Sequence, residues 1–167
     1  MQEEEEGWFD PHLKSKNMTT TGIGGVKISN IRILAPSGRQ VNTLIVGKSY
    51  TLEYCVDCSI TASKVGVGMM IKNKTGIQLG GTGSYLHEEY LKTVEPKDKI
   101  KVSIEFSNIL HPGIYFITTS IGGRVNGKEE LFCNLLDAVS FQVISPDKIK
   151  HTGIVDFNIL PKLKLFN

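Results

Sequence analysis

Three cysteines, Cys55, Cys58 and Cys133, are the residues of this sequence best suited to metal or redox chemistry. Cys55 and Cys58 form a single Cys-x-x-Cys motif, which could supply half of a zinc site or a redox pair. A structural zinc site needs a second pair of ligands at suitable spacing, and only Cys133 and four scattered histidines are left. We therefore interpret the cysteines as reduced thiols in a reducing compartment, and we expect no metal or other cofactor.

Two glycine-rich segments could bind phosphate, but their spacing argues against it. Gly47-Lys48-Ser49 looks like the end of a phosphate-binding loop, yet such a loop needs a glycine where Asn42 stands. The segment also leads into a predicted strand, whereas a phosphate loop leads into a helix. Gly80 to Gly83 lacks the strand–helix–strand unit of a dinucleotide site. We expect the chain neither to bind nor to hydrolyse ATP.

Hydrolytic chemistry has one candidate pair of carboxylates, Glu88 and Glu89, beside His87. Glycosidases use two carboxylates that face each other across the scissile bond, and adjacent residues in a loop seldom have that geometry. A zinc protease would need a second histidine that this motif lacks. We predict a solvated acidic loop and a protein that is not an enzyme. The alternative, a sandwich-type glycosidase, would lose hydrolysis when Glu88 or Glu89 is replaced.

Length and composition exclude several functional classes. The chain has 167 residues, of which 40% are hydrophobic, enough for the core of one domain. Its net charge of +2 is too balanced to predict binding to nucleic acid or to an anionic membrane. No apolar run is long enough to cross a bilayer, and Glu3 to Glu6 are the opposite of a secretory signal. We predict a cytoplasmic protein without membrane insertion.

Alternation of apolar and polar residues predicts an all-β domain, because a period of two is typical of half-buried strands. The predicted strands lie at 26–33 (with a slip near Asn30), 50–57, 65–71, 99–106, 115–121, 137–143 and 154–159. We predict an antiparallel β-sandwich of about seven to eight strands, immunoglobulin-like or jelly roll, over residues 22–167. Residues 1–21 are expected to form an acidic linker or arm, and 80–97 a long loop.

The strands at 65–71, 115–121 and 137–143 differ from the others in their outward side chains. The strands at 50–57 and 99–106 present charged residues, as a solvated face does. The first three present small, uncharged or apolar residues instead: Gly66, Gly68, Met70, Phe116, Thr118, Ser120, Ala138, Ser140 and Gln142. If they are neighbours in one sheet, they form a shallow trough that suits a sugar, since sugar rings stack on apolar surfaces and hydrogen-bond at their edges. The alternative is that the arm or another subunit covers this face.

Within that trough each residue type has an expected role. Met70 and Phe116 would be apolar platforms under a sugar ring, while Gly66 and Gly68 would leave depth. Hydrogen bonds would come from Thr118, Ser120, Ser140 and Gln142, and the rim from Tyr85, His87, Arg124 and Asn126.

Several motifs occur in an order that is similar to one known family. They are Phe9-Asp10-Pro11, the segment Gly25 to Ile33, the strand entrance Gly47 to Leu52, Val65 to Ile71 closing at Thr75-Gly76, Leu110-His111-Pro112-Gly113-Ile114-Tyr115 and Gly153-Ile154-Val155. In this order and spacing the chain resembles the C-terminal domain of Wzt, the nucleotide-binding subunit of bacterial O-antigen ABC transporters.

The resemblance implies a non-catalytic carbohydrate-binding module on the cytoplasmic side of the inner membrane. In that family the module follows an ATPase domain of the same protein, works with a transporter permease, and recognises finished O-antigen polysaccharide by its terminal modification before export. The family also implies a homodimer that exchanges its last strand, here about 152–159. We therefore expect an excised module whose acidic arm belongs to the interdomain linker. The competing hypothesis is a protein-binding adaptor domain without glycan binding.

Overall fold

The computed structural model describes residues 5–166, and within that range it contains eleven strands in two facing sheets. The strands are β1 (Thr19–Thr21), β2 (Val26–Leu34), β3 (Gln40–Val41), β4 (Thr43–Ile45), β5 (Ser49–Cys58), β6 (Ala62–Asn73), β7 (Gln78–Gly83), β8 (Leu91–Val94), β9 (Lys99–Ser107), β10 (Gly113–Val125) and β11 (Lys128–Ile144). This confirms the predicted all-β sandwich. No helix among the described residues is long and apolar enough to cross a membrane.

The two sheets differ in size. The large sheet has the order β1-β11-β10-β6-β7, with β8 also paired to β6 and β4 to β11. The small sheet has the order β3-β2-β5-β9. All pairs are antiparallel except that of β4 with the end of β11. Sequence-distant strands therefore lie side by side in the large sheet, where the three strands of the predicted trough are found.

The segment 80–97, predicted as a loop, contains the end of β7, a 3₁₀ turn at Ser84–His87 and the strand β8. β7 reads Gln-Leu-Gly-Gly-Thr-Gly, and most of its residues are exposed because it lies at the edge of the sheet. A strand of small residues with two exposed faces gives no apolar alternation, so the sequence pattern missed it. Thr19–Thr21 of the predicted arm likewise forms the opposite edge strand, β1.

The core fills the space between the sheets with alternate residues of their inner faces. In β5 the buried residues are Tyr50, Leu52, Tyr54, Val56 and Cys58. The ring of Phe141 in β11 stacks on Tyr115 of β10 at 5.7 Å and meets Phe106 of β9 at 6.4 Å. Strict alternation in β5 and β10 therefore produces the core that the sequence predicted.

Tyr54 is the most buried titratable group of this core. Its hydroxyl lies 2.9 Å from the Thr119 hydroxyl, which is also 2.9 Å from the Gly68 carbonyl in β6. Burial raises the pKa of Tyr54 to about 12 from the ordinary 10.0, although the contact with Thr119 partly offsets this. The hydroxyl is thus held neutral inside the sandwich.

Replacing Tyr54 by phenylalanine is expected to change how stability depends on alkaline pH. The pKa of Tyr54 is higher in the folded than in the unfolded state. Its contribution to the free energy of unfolding is therefore complete below about pH 10 and is lost as the pH rises towards 12. Between about pH 8 and pH 11 the free energy of unfolding of the parent protein should fall by about 1.4 kcal/mol more than that of Tyr54→Phe. Urea unfolding at both pH values measures this, and a constant difference between the two proteins would contradict it.

The N-terminal arm is fastened to the sandwich by the buried Asn42. The Asn42 Oδ1 accepts from the Asp10 amide at 2.7 Å, and its Nδ2 donates to the carbonyls of Asp10 (2.8 Å) and Leu13 (3.3 Å). Trp8 pairs with Thr43 as an isolated antiparallel bridge. The residue that breaks the phosphate-loop pattern therefore anchors the arm.

The C-terminal segment adds no full strand to either sheet. Val155 forms a single bridge with Leu110, where the sequence predicted a strand over 154–159. Beyond it the apolar side chains face solvent, Phe157 with 78% and Leu163 with 96% of their surface exposed. Among residues 5–166 no strand pairs with residues 156–159, so the predicted pairing is not completed within the described part of the chain.

Candidate functional site

The strands β6, β10 and β11, which carry most of the predicted trough, are neighbours in the large sheet. Their register places Ser120 opposite Gly68 on one side and Asn134 on the other. Thr118 stands opposite Met70, and Phe116 stands between Lys72 and Ser140. The outward face of this sheet thus brings together residues that are far apart in sequence, such as Gly68 and Ser140, which are separated by 72 positions.

A groove of about 630 Å³ crosses the middle of this face, and we call it the central groove. It is lined by Gly68, Met69, Met70, Lys72, Gly76, Gln78, Gly81, Thr82, Gly83, Leu86, Thr118, Ser120, Asn134 and Leu136. Of the predicted residues it brings together Gly68, Met70, Thr118 and Ser120. Hydroxyl, amide and apolar groups alternate along it, which is the surface that a hydroxyl-rich ligand requires.

Asn134, Leu136 and Thr82 are among the lining residues of the central groove that the sequence analysis missed. Asn134 and Leu136 belong to β11, which begins at Lys128, nine residues before the strand predicted there. Thr82 belongs to the edge strand β7. The alternation of β11 is broken near its middle, so the pattern revealed only its second half.

That break is a bulge, and it changes the charge of the face. The register of β11 against β10 shifts between Ile117 and Thr119, and Asp137 has a left-handed φ of 53°. Asp137 consequently reaches Lys72 at 2.7 Å, while Ala138 turns inward and is only 9% exposed. The expectation of an entirely uncharged trough was therefore wrong at this point, since an ion pair lies within it.

The two glycines of β6 have opposite environments. A Cβ added to Gly68 would lie 2.8 Å from the Ser120 Oγ and 3.6 Å, an ordinary contact distance, from the Thr82 carbonyl oxygen, so its surface is open towards the groove. A Cβ on Gly66 would lie 2.7 Å from the Tyr85 ring. The Tyr85 hydroxyl donates to the Lys64 carbonyl, which fixes the ring over this glycine. Gly66 accordingly leaves no free depth, contrary to expectation, because Tyr85 occupies it.

Two further predicted residues lie away from the central groove. Ser140 is only 5% exposed, and its Oγ has no hydrogen-bond partner among the described residues. It borders the arm rather than open solvent, since Leu13 and Lys14 line the same cavities. Gln142 is half-buried beside Thr43 of β4. Neither is placed for direct contact with a ligand in the central groove.

A second cavity of about 550 Å³ lies where the arm meets the sheet, and we call it the lysine pocket. Lys14, Lys16 and Asn17 form its arm side. Lys72 to Gly76, Ile114, Phe116, Asp137 and Ser140 form its sheet side. Phe116, predicted as a platform, therefore lies here, next to Lys72, which also lines the central groove.

A third cavity of about 600 Å³ lies at the opposite end of β10. The rings of Tyr85 and Tyr90 stack there at 6.0 Å, and Arg124 pairs with Glu129 at 3.1 Å. Burial raises the pKa of Tyr85, and the charge of Glu129 adds to this. Of the predicted rim, Tyr85 and Arg124 meet here.

The remaining rim residues are separate from these cavities. His87 Nε2 lies 2.9 Å from Thr82 Oγ1 at the edge of the central groove. Asn126 occupies the exposed turn between β10 and β11 with a φ of 50°. Neither lines any of the three cavities.

The cysteines lie apart from all three cavities. Because side chains alternate along a strand, Cys55 and Cys58 of β5 point to opposite faces of the small sheet. Burial raises the pKa of the Cys58 and Cys133 thiols. Residues 5–166 contain no group of three or more His, Cys, Asp and Glu side chains placed to hold a metal ion.

The three cavities lie along one line. Phe116, Thr118, Ser120, Gly122 and Arg124 are alternate residues of β10, and at about 3.3 Å per residue they extend over roughly 26 Å. An extended chain of several sugar rings could follow this line, with hydroxyl and amide groups at its centre and aromatic rings at both ends. The face is chemically suited to reversible binding of such a chain.

The family model of the Wzt C-terminal domain matches residues 17–157. A crystal structure of the C-terminal domain of Wzt is similar in fold, with a TM-score of 0.78 at 19% identity, covering 96% of this chain and 93% of that chain. A Niemann-Pick type C2 protein from the Japanese carpenter ant has a TM-score of 0.45 at 11% identity, covering 75% of this chain and 99% of that one. At that score the likeness does not establish a shared fold. No curated protein matches the sequence.

Proposed function

Because the chain belongs to the Wzt C-terminal domain family, we propose that it is a non-catalytic module that binds O-antigen polysaccharide and selects it for export by an ABC transporter. The observation that carries the proposal is the central groove, in which Gly68, Met70, Thr118 and Ser120 come together on the outward face of one sheet. Its partners would be the polysaccharide, an ATPase domain of the same full-length protein and a transporter permease. Its place would be the cytoplasmic face of the inner membrane.

Binding would combine apolar contact with hydrogen bonds. A sugar ring over Gly68 can approach the backbone closely and lie against the Met70 side chain, because glycine has no Cβ to hold it away. The hydroxyl groups of Thr118 and Ser120 and the amide of Asn134 can then bond to the edges of the ring. Each such bond contributes about 0.5–1.5 kcal/mol, so affinity depends on several rings bound at once.

We propose further that the protein is a homodimer formed through its C-terminal segment. Residues 157–166 expose six large apolar side chains: Phe157, Ile159, Leu160, Leu163, Leu165 and Phe166. β9 is an edge of the small sheet, and its outer backbone groups are available for a further strand. If the segment pairs with β9 of the partner, the contact would bury the apolar side chains of the segment and the outer backbone groups of β9.

Titration of the protein with O-polysaccharide freed of its lipid tests the proposed function. The terminal modification is expected to matter, so polysaccharide from a strain that lacks the capping enzyme should bind about tenfold more weakly, equal to about 1.4 kcal/mol. Equal binding of both forms would refute selection by the terminal end. No binding of either form would refute the glycan-binding role and leave the adaptor hypothesis, which a pull-down of protein partners would then examine.

A further inference from the structure

The lysine pocket has an unusual balance of charge. Lys14 and Lys16 approach it from the arm, and Lys72 and Lys74 from the end of β6 and the turn that follows. Asp137 is the one carboxylate among its described lining residues, and it is already paired with Lys72 at 2.7 Å. Three ammonium groups therefore share a cavity without a compensating charge.

Several cations of the small sheet are paired with carboxylates, and the unpaired lysines outside the pocket do not share a cavity with two others. On the small sheet Glu53 accepts from Arg32 at 2.7 Å and from Lys101 at 3.0 Å, and Asp57 lies 3.5 Å from Lys99. Lys14, Lys16 and Lys74 make no ion pair within residues 5–166. Like charges that share a cavity repel each other, and an anion placed among them would remove that repulsion.

Two neutral groups of the pocket also lack partners. The Asn73 Oδ1 accepts from the amides of Thr75 (3.1 Å) and Ile77 (2.9 Å) and from the Thr75 hydroxyl (2.9 Å). These three bonds fix the amide plane, whereas Nδ2 donates to none of the described residues. The Ser140 Oγ, almost fully buried in the wall of the pocket, also has no partner within that part of the chain. The Asn73 Nδ2, held in one orientation and without an acceptor among the described residues, is suited to an oxyanion.

We propose that the lysine pocket binds an oxyanion, a phosphate or carboxylate group, carried by a sugar of the bound glycan. The inference rests on the proposed glycan-binding function and adds the charge of the ligand to it. The sugar ring packs against Phe116 in the floor of the pocket. Its anionic group meets Lys14, Lys16 and Lys74 together with the Asn73 amide. Because Lys14 and Lys16 belong to the arm, the ligand also joins the arm to the large sheet.

Three small probes test the pocket directly: glucose 6-phosphate, glucose and inorganic phosphate. Backbone amide shifts in NMR spectra should show glucose 6-phosphate saturating a site at residues 14–17 and 72–76, with no such response to glucose at the same concentration. Glucose 6-phosphate should bind at least about threefold more tightly than inorganic phosphate, because Phe116 packs against the ring. Equal affinity would overturn the assignment to a sugar-borne group. Shifts confined to other residues would overturn the site.

A matched pair of triple variants separates this pocket from general charge effects. Lys14→Gln, Lys16→Gln and Lys74→Gln together should weaken glucose 6-phosphate binding at least about tenfold. Lys27→Gln, Lys48→Gln and Lys92→Gln remove the same charge from exposed positions outside all described cavities and should change it less than twofold. Lys72 is left in place because its removal would leave the Asp137 carboxylate without its ion-pair partner. Equal loss in both triple variants would overturn the pocket.

O-polysaccharide titration keeps the two proposals distinguishable. If the parent protein and the first triple variant bind O-polysaccharide equally, the oxyanion inference is overturned while glycan binding stands. If neither binds polysaccharide although the parent binds glucose 6-phosphate at the pocket, the oxyanion site stands and the proposed function fails. A tenfold loss of polysaccharide binding in the first variant alone supports both.

Discussion

Replacing Gly68 by tryptophan is expected to reduce O-polysaccharide binding at least about a hundredfold, a loss of about 2.7 kcal/mol. Gly68 lines the central groove, where the one atom too close to an added Cβ is the movable Ser120 hydroxyl oxygen at 2.8 Å. An indole there would fill the space that the sugar ring needs between Met70 and Ser120. The strand itself can accept the side chain, because the φ of Gly68 lies outside the left-handed range. Calorimetric titration measures the loss.

Gly80→Trp is the matched control for this substitution. Gly80 lies in the neighbouring strand β7, has nothing within 4 Å of an added Cβ, and does not line the groove. Phe116→Ala should weaken binding by about 1–3 kcal/mol for its lost apolar contact, and Lys101→Ala on the small sheet should have no effect. Circular dichroism confirms that each variant is folded. A folded Gly68→Trp that binds like the parent would show that the groove is not the site, and a covered face would then be the better explanation.

Deleting residues 157–167 is expected to convert the proposed homodimer into a monomer. The deletion removes the six exposed apolar side chains of the C-terminal segment but keeps Val155, which pairs with Leu110, and the Asp156 amide, which donates to the Ile109 carbonyl. The fold of the remaining chain should therefore persist. Isolated strands with an apolar face are stable only when paired, so loss of the segment should remove the dimer contact. Sedimentation equilibrium measures the change in mass.

Two sets of substitutions that keep the full length of the C-terminal segment serve as controls for this deletion. Phe157→Ser, Ile159→Ser and Leu160→Ser together should dissociate the dimer as the deletion does, whereas Lys162→Ser and Lys164→Ser should leave it intact. Persistence of the dimer after the deletion would refute exchange of the segment. A parent protein that is monomeric at all concentrations would refute the dimer itself.

The sequence predicted the strands that alternate cleanly and missed those that do not. β5 and β10 bury every second residue against the core, and β9 alternates exposed with less exposed residues, so their pattern was visible. The slip near Asn30 is a real bulge between Ser29 and Arg32. β7 is rich in glycine and lies at an edge, where neither face is required to be apolar. The pairing of residues 19–21 with β11 is a long-range contact that no local pattern encodes.

The candidate site was predictable in outline for the same reason. Strand neighbours followed from the sandwich architecture, which brought Met70, Thr118 and Ser120 together. The bulge at Asp137 was not visible, because an extra residue in one strand reverses the faces of all residues on one side of it. The fit of Tyr85 over Gly66 and the approach of the arm to Ser140 depend on tertiary packing, which alternation does not describe.

The most direct test of the central claim is an NMR titration of the unaltered protein with O-polysaccharide, followed residue by residue. Binding on the outward face of the large sheet predicts saturable shifts in the amides of β6, β10, β11 and β7, centred on Gly68, Ser120 and Asn134. The strands β2, β5 and β9 of the small sheet should change little. Saturable shifts centred on the small sheet, or none at any residue, would contradict the account.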